Sequence, residues 1–447
     1  MDSYKETFHH ASEFLFSKLD KSNKFEEVLN LNFKGEDTNF IRFNKSRVRQ
    51  ISGVEQASLE LELIVGNKKA IREVTISLNG DSNDLLLSNV LSELQKEVRQ
   101  LPDDPFITPL KNEGESDVQN TGSVPTPNEF IDLLASTMGE ADLAGYLTSG
   151  SGHRGNANSL GQKHWFSSQS FFFDYSLYTA KEKAVKGTYA GTHFKRDEFE
   201  AVINESMAAL KVMDRPQVEV KPGEYKVYLA PAATHEIVDM LGWHALSGGA
   251  YQRGECPLAD LYDGKREFSP LMTLKENFNL GLSPAFNGWG EVSESQLPLV
   301  TKGKMDNFLV SRETEKEYGM KSNKASGSEG PRALQMISGS LSREEILKEI
   351  GTGLYLSNLH YLNWSDKPKG RVTGMTRFGC LWVENGEIVG PIKDLRFDES
   401  LYKIFGTGLK GVTNFSQVFM STSTYGDRSL GGSDVPGLMV EGFKFTL

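Results

Sequence analysis

The sequence predicts an α+β protein with a small N-terminal α/β domain, a middle α+β region and a larger β-rich C-terminal domain. Three observations predict it. Residues 59–63 alternate leucine with glutamate, the period of a half-buried strand. Segments at 2–20, 82–100 and 196–213 read as helices, and all three lie in the first half of the chain. The second half is mostly strand and loop, with Asn385-Gly386 between two apolar runs as its sharpest turn signal. A chain of 447 residues holds two or three domains and buries a substantial core.

In order along the chain, residues 2–20 form an amphipathic helix whose Phe8, Phe14, Leu15 and Leu19 share a face. Strands follow at 25–33, 39–46, 57–65 and 72–78, the last ended by Asn79-Gly80-Asp81. The helix at 82–100 completes a first domain over residues 1–110. Residues 111–128 carry Gly, Ser, Asn and Pro without apolar period and read as a linker or mobile loop. A central region, 129–220, holds a helix at 130–137, the aromatic run Phe171-Phe172-Phe173-Asp174-Tyr175 and the helix at 196–213. Asp214, Pro216 and Pro222-Gly223 open the C-terminal domain, 221–447. There, residues 225–229 form a strand, and helices are expected at 235–246 and at 342–351, the second capped by Ser342. Residues 380–389 form a hairpin around Asn385-Gly386.

Composition excludes several function classes. A formal charge of −11 argues against broad nucleic-acid or anionic-membrane binding. Lys45, Arg47 and Arg49 make a small basic patch that reads as the solvated face of a strand. No apolar run approaches bilayer length and the first 20 residues lack a signal-peptide core, so a cytoplasmic protein is expected. Two cysteines, Cys256 and Cys380, cannot build a disulfide framework and lack the context of activated thiolates. Residues 149–161 are rich in Gly, Ser and Asn but lack the ending of a phosphate loop; a loop or strand-joining turn is expected. No Gly-x-Ser-x-Gly elbow appears on a strand-to-helix turn.

The chemistry concentrates at His235-Glu236. In a zincin helix, two histidines a turn apart hold the metal and the Glu beside the first acts as general base. Here Asp239 and Met240 stand where a second histidine would be, depending on spacing. His235 and Asp239 share a helical face and could give two ligands, but the sequence nominates no third, and a thioether suits zinc poorly. The alternative makes His235 and Glu236 a polar wall, with Asp239 solvated outside and Ile237, Met240, Leu241 and His244 turned inward. This second reading is the better supported.

Several landmarks occur in one order that resembles the TldD/PmbA (TldE) family of metalloprotease-related proteins. They are Phe40-Ile41-Arg42-Phe43-Asn44 with Arg47-Val48-Arg49-Gln50, and Asn158-Ser159-Leu160-Gly161. Pro222-Gly223-Glu224-Tyr225-Lys226-Val227 and Leu229-Ala230-Pro231 follow. Glu349-Ile350-Gly351-Thr352-Gly353-Leu354-Tyr355, Val372-Thr373-Gly374-Met375-Thr376-Arg377 and Trp382-Val383-Glu384-Asn385-Gly386-Glu387-Ile388 complete the set. The resemblance implies a two-subunit protease acting on unfolded or small peptides. Its TldD-type subunit binds zinc through HExxxH and a C-terminal Cys, and its PmbA-type subunit lacks the metal and helps form the peptide channel.

Carried onto this chain, the motif's first His falls on His235, its Glu on Glu236 and its second His on Met240. The Cys-bearing turn corresponds to residues 421–426, which hold no cysteine. The expectation is therefore a non-metal, channel-forming subunit, closer to the PmbA type, with His235 a relic ligand and Glu236 a relic general base. Its partners would be a zinc-bearing TldD-type subunit, a second copy in a homodimer, and a peptide bound by strand addition or enclosure. No cofactor is expected in this chain. The alternatives are an autonomous metallopeptidase with zinc on His235 and Asp239, and a self-associating binding protein without proteolytic activity.

Overall fold

In the computed structural model, which describes residues 3–19, 27–138 and 141–446, the chain forms two large sheets. The first half runs α1 (Ser3–Ser17), β1 (Glu27–Asn44), β2 (Arg47–Val65), β3 (Lys68–Ile76), α2 (Asp84–Val98) and β4 (Glu115–Asn120). It continues with α3 (Pro127–Met138), β5 (Asp142–Asn158), β6 (Lys163–Tyr178), β7 (Ala184–Gly191) and α4 (Arg196–Met213). The strand order is β3-β2-β1-β5-β6-β4, with β7 also paired to β6.

Alternation explains the two faces. Leu29, Leu31 and Phe33 of β1 stand opposite Leu63, Leu61 and Leu59 of β2, and all six are buried under α1 and α2. Further along the same face, Ile41, Phe43, Phe171, Phe173 and Tyr175 pack against α3 and α4. The opposite face is polar, with Asn30, Glu36, Thr38 and Asn156 buried against the second half of the chain. Phe172, on that face, is also fully buried, so the run at 171–175 reads as continuous because both of its sides are covered.

Four expectations change here. The separate strands at 25–33 and 39–46 are one 18-residue strand, and β2 begins ten residues before position 57; residues 25–26 lie outside the described residues, as do 2 and 20 of the first helix. The polar stretch Lys34-Gly35-Glu36-Asp37-Thr38 has no apolar period, yet both β2 and β5 pair with it. The supposed linker at 111–128 supplies β4, which pairs in parallel with β6, so one sheet takes strands from both sides of that segment. Residues 149–158, expected as a loop, belong to β5, and the turn follows only after Asn158. The hairpin of β1 and β2 closes on Lys45 and Ser46, both at positive φ, the geometry of a two-residue primed turn.

The second half opens with β8 (Gly223–Leu229) and α5 (Pro231–Asp239). The strands β9 (Leu274–Asn277), β10 (Gln296–Thr301), β11 (Lys304–Met305), β12 (Ala333–Met336), β13 (Gly353–Leu356) and β14 (Asn358–Asp366) follow. The chain ends with β15 (Arg371–Arg377), β16 (Leu381–Glu384), β17 (Glu387–Pro391), β18 (Arg396–Ser400), β19 (Leu409–Met420) and β20 (Gly432–Phe445). Along its main path the sheet is ordered β11-β10-β9-β12-β20-β8-β13-β16-β17. Val227, Tyr228 and Leu229 are all buried because β8 is central, between β20 and β13. The hairpin at 385–386 has Asn385 and Gly386 at φ 51° and 80°, as its sequence predicts. Ser342 and Glu345 form a reciprocal capping box at the start of the helical turn expected there. Among the described residues no helix is long and apolar enough to cross a membrane.

Candidate functional site

The α5 helix leaves the end of β8 through Ala230, and Pro231 occupies its first turn, where a missing N–H costs nothing. Its residues divide by helical period. Ala233, Ile237 and Val238 are buried, joined by Met240 and Leu241 of the short turn that follows. Ala232, His235, Glu236 and Asp239, spaced one, four, five and eight, line a cleft of about 490 Å³. Asp239, expected on the outer face, is thus exposed to this cleft, one helical turn from His235. The helix expected to reach position 246 ends early, after a 3-10 turn closing at Gly242. His244 is left exposed at φ 76°, with its Nδ1 2.5 Å from Lys367 Nζ, and does not turn inward.

The other walls come from distant parts of the chain. Asp174, Lys186 and Thr188 reach in from β6 and β7 of the first sheet. Phe419 and Met420 end β19, residues 421–423 and 430–431 belong to the loop that follows, and Gly432 and Ser433 begin β20. His235 stacks flat on Phe419, with ring centroids 4.5 Å apart at 5°, and its Nδ1 lies 3.0 Å from Ser433 Oγ. Burial, helped by the Lys186 charge, pushes its pKa down to about 4, so the ring is neutral at ordinary pH.

Burial raises the Glu236 carboxyl, with Lys186 opposing and Asp239 and Asp174 reinforcing; burial by the surrounding protein also raises Asp239. Neither carboxyl has a hydrogen-bond or ion-pair partner among the described residues. Asp174 is held instead by Thr188 Oγ1 at 2.8 Å and Lys186 Nζ at 3.4 Å. The Arg332 guanidinium, also at the cleft wall, donates to the carbonyls of Pro284 and Phe286 and to Ser293 Oγ.

The donor set does not fit a zinc ion. Among the described residues no three His, Cys, Asp or Glu side chains converge as a metal-binding group. Met240, at the second histidine's position, is 3% exposed and belongs to the hydrophobic core. Residues 421–426, the turn that the family resemblance matches to a cysteine ligand, hold serine, threonine, tyrosine and glycine. His235 and Asp239 do share a face, but among the described residues no third donor converges on them. Both cysteines are buried: Cys256 is pushed up to about 12 and Cys380 is also raised, each by burial.

Lys186, Asp174, Phe419 and Ser433 are absent from the set the sequence nominates. Asp174 alone leaves a trace, as a carboxylate inside an aromatic run. The rest come together only through packing of the two sheets.

A family model described as the PmbA/TldA metallopeptidase C-terminal domain matches residues 222–447. The chain is 30% identical over 156 residues to metalloprotease PmbA of Escherichia coli O157:H7, a match over 34% of this chain and 33% of that protein. The chain thus spans about a third of the length of that curated relative. Among solved structures, TldE from Thermococcus kodakarensis superposes with a TM-score of 0.76 over 99% of this chain and 100% of its own, at 15% identity. A candidate modulator of DNA gyrase from Bacteroides thetaiotaomicron superposes with a TM-score of 0.77 over 100% and 99%, also at 15% identity. At such identities the superpositions speak for the fold alone.

Proposed function

We propose, from the premise that this chain belongs to the PmbA/TldD family of metallopeptidase-related proteins, that it is the non-metal half of a two-subunit peptidase. In this reading it encloses an unfolded or short peptide in the cleft beside α5, while a zinc-bearing TldD-type subunit performs the hydrolysis. The observation that carries the reading is the state of α5. The polar stripe His235, Glu236 and Asp239 still faces a cleft, yet Met240 is sealed in the core and no cysteine stands in 421–426. His235, stacked on Phe419 and bonded to Ser433, then shapes a wall, and Glu236 supplies a carboxylate for substrate amides or amines.

The test is co-expression with a TldD-type subunit and assay of peptide cleavage by each chain and by the mixture. The chain alone is expected to be inactive and to hold no zinc by elemental mass spectrometry, and the mixture to be active. Two results would overturn the reading. One is failure to associate with any such partner. The other is metal-dependent cleavage by the isolated chain that Glu236→Gln abolishes, which would instead favour the autonomous enzyme.

A further inference from the structure

The cleft does not end at Asp174. A second groove, of about 740 Å³, lies on the same sheet face, lined by Phe40, Arg42, Gln50, Tyr146, Asp174 and Tyr178 among others. Asp174 belongs to both walls. Tyr146 of the groove donates its hydroxyl to the carbonyl of Thr422 in the cleft wall at 3.2 Å, so the two spaces meet at this bond.

Strand register shows how they are joined. Gln50 is paired with Arg42, Arg42 with Tyr146, Tyr146 with Asp174, and Asp174 with Thr188. Five side chains on five neighbouring strands thus stand in one row across the sheet. At roughly 4.8 Å per strand, the row carries the floor about 14 Å from Thr188 in the cleft to Arg42.

The unpaired charges lie in the cleft beside the Thr188 end of this row and at Arg42, one strand from its Gln50 end. Asp174 and Lys186 neutralise each other in the middle, and Arg332 is spent on carbonyls and on Glu276. What remains at the cleft end are the carboxyls of Glu236 and Asp239. Arg42, near the far end, is exposed and has no ion-pair or hydrogen-bond partner among the described residues.

We infer that the cleft and groove are one channel that takes a short peptide, at least about four extended residues along the roughly 14 Å floor, in a fixed direction. Its free amino terminus lies against Glu236 and Asp239, and its terminal carboxylate lies on Arg42. This inference rests on the peptide-enclosing reading above and adds length and polarity to it. Two carboxylates without partners of their own attract an ammonium group brought between them. A guanidinium presents paired donors matched to a carboxylate. A peptide entering the other way meets like charge at both ends.

Calorimetric titration of the full chain with a hexapeptide of neutral side chains, and with its C-terminally amidated and N-acetylated forms, tests this. Amidation is expected to weaken binding to the wild type about three- to fivefold, the range of an exposed ion pair. Arg42→Ala should weaken binding of the free acid equally and erase its advantage over the amide. Arg42→Lys should restore part of that advantage. The exposed position of Arg42 leaves the fold intact, which circular dichroism checks.

If the wild type binds these peptides but the acid-to-amide ratio is the same in Arg42→Ala, the directional channel is wrong and the peptide cleft stands. If no hexapeptide binds the wild type, both fall. A third result also overturns it: sedimentation showing a wild-type dimer that Arg42→Glu dissociates without changing peptide affinity. That would assign this face to a second copy of the chain.

Discussion

Acidification of the cleft gives the sharpest test of its electrostatics. His235 has its pKa at about 4 in the folded chain against an ordinary 6.5. Above pH 6.5 the ring is neutral in both folded and unfolded states, and it contributes no pH dependence. As pH falls from 6.5 toward 4, the unfolded chain takes up the proton first and stability drops. At about 1.4 kcal/mol per pH unit the full loss is about 3 kcal/mol, complete below pH 4, and about 2 kcal/mol is gone by pH 5. Glu236 and Asp239 act in the opposite sense, because their raised carboxyls protonate earlier in the folded chain. Comparing wild type with His235→Gln, which keeps both carboxyls, isolates the histidine. Denaturant unfolding at pH 7.5 and pH 5.0 should show the wild type losing about 2 kcal/mol more than the variant over that interval. Carbon-13 imidazole resonances read the ionisation directly. A His235 signal that titrates near 6.5 in the native chain would refute the argument, because a ring stacked on Phe419 under desolvating walls cannot accept a proton that easily.

Two further outcomes follow from packing. Gly290 sits at φ 76°, and a Cβ there would overlap the Gln162 amide, which bonds Asn156 Oδ1 and the Trp289 carbonyl; Gly290→Ala should cost about 2–4 kcal/mol in thermal or denaturant unfolding. Cys256 and Cys380 should resist a disulfide reagent in the native chain at pH 8 and react at two thiols per chain after denaturation; rapid native labelling of either would contradict its burial.

What the sequence made legible was local. The α4 boundaries and the hairpin at Asn385-Gly386 follow from helical period and turn chemistry acting within a few residues. The β1 strand was not, because Lys34 to Thr38 carries no apolar alternation and is held by pairing with β2 and β5. The same limit applies to β4, a polar strand that exists through its parallel pairing with β6. The α5 helix was half legible. Its start after Pro231 follows from the sequence, but the helix expected to run to 246 stops at Gly242, and the left-handed His244 beyond it depends on tertiary packing that no window of sequence contains.

The site divides along the same line, which bears on what this chain retains. Finding His235-Glu236 requires only one helical turn, and the turn is present. The zinc set that the family resemblance implies would take a side chain at 240 pointing into the cleft and a third donor from the turn after β19. The structure buries the first and offers serine and threonine for the second. Cleft formation depends on other residues: the α5 stripe at 232, 235, 236 and 239, the Asp174-Lys186 pair of the first sheet, and the loop after Met420. The α5 stripe and the Asp174-Lys186 pair form their walls without Met240, which lies in the hydrophobic core. The tight stacking of His235 on Phe419, a contact that leaves one face of the ring covered and its Nδ1 engaged by Ser433, is what a packed wall needs. The same bond leaves Nε2 open, as a supporting bond to a metal-bound histidine would, so it is the lack of a converging third donor among the described residues, and not the held ring, that argues against zinc here.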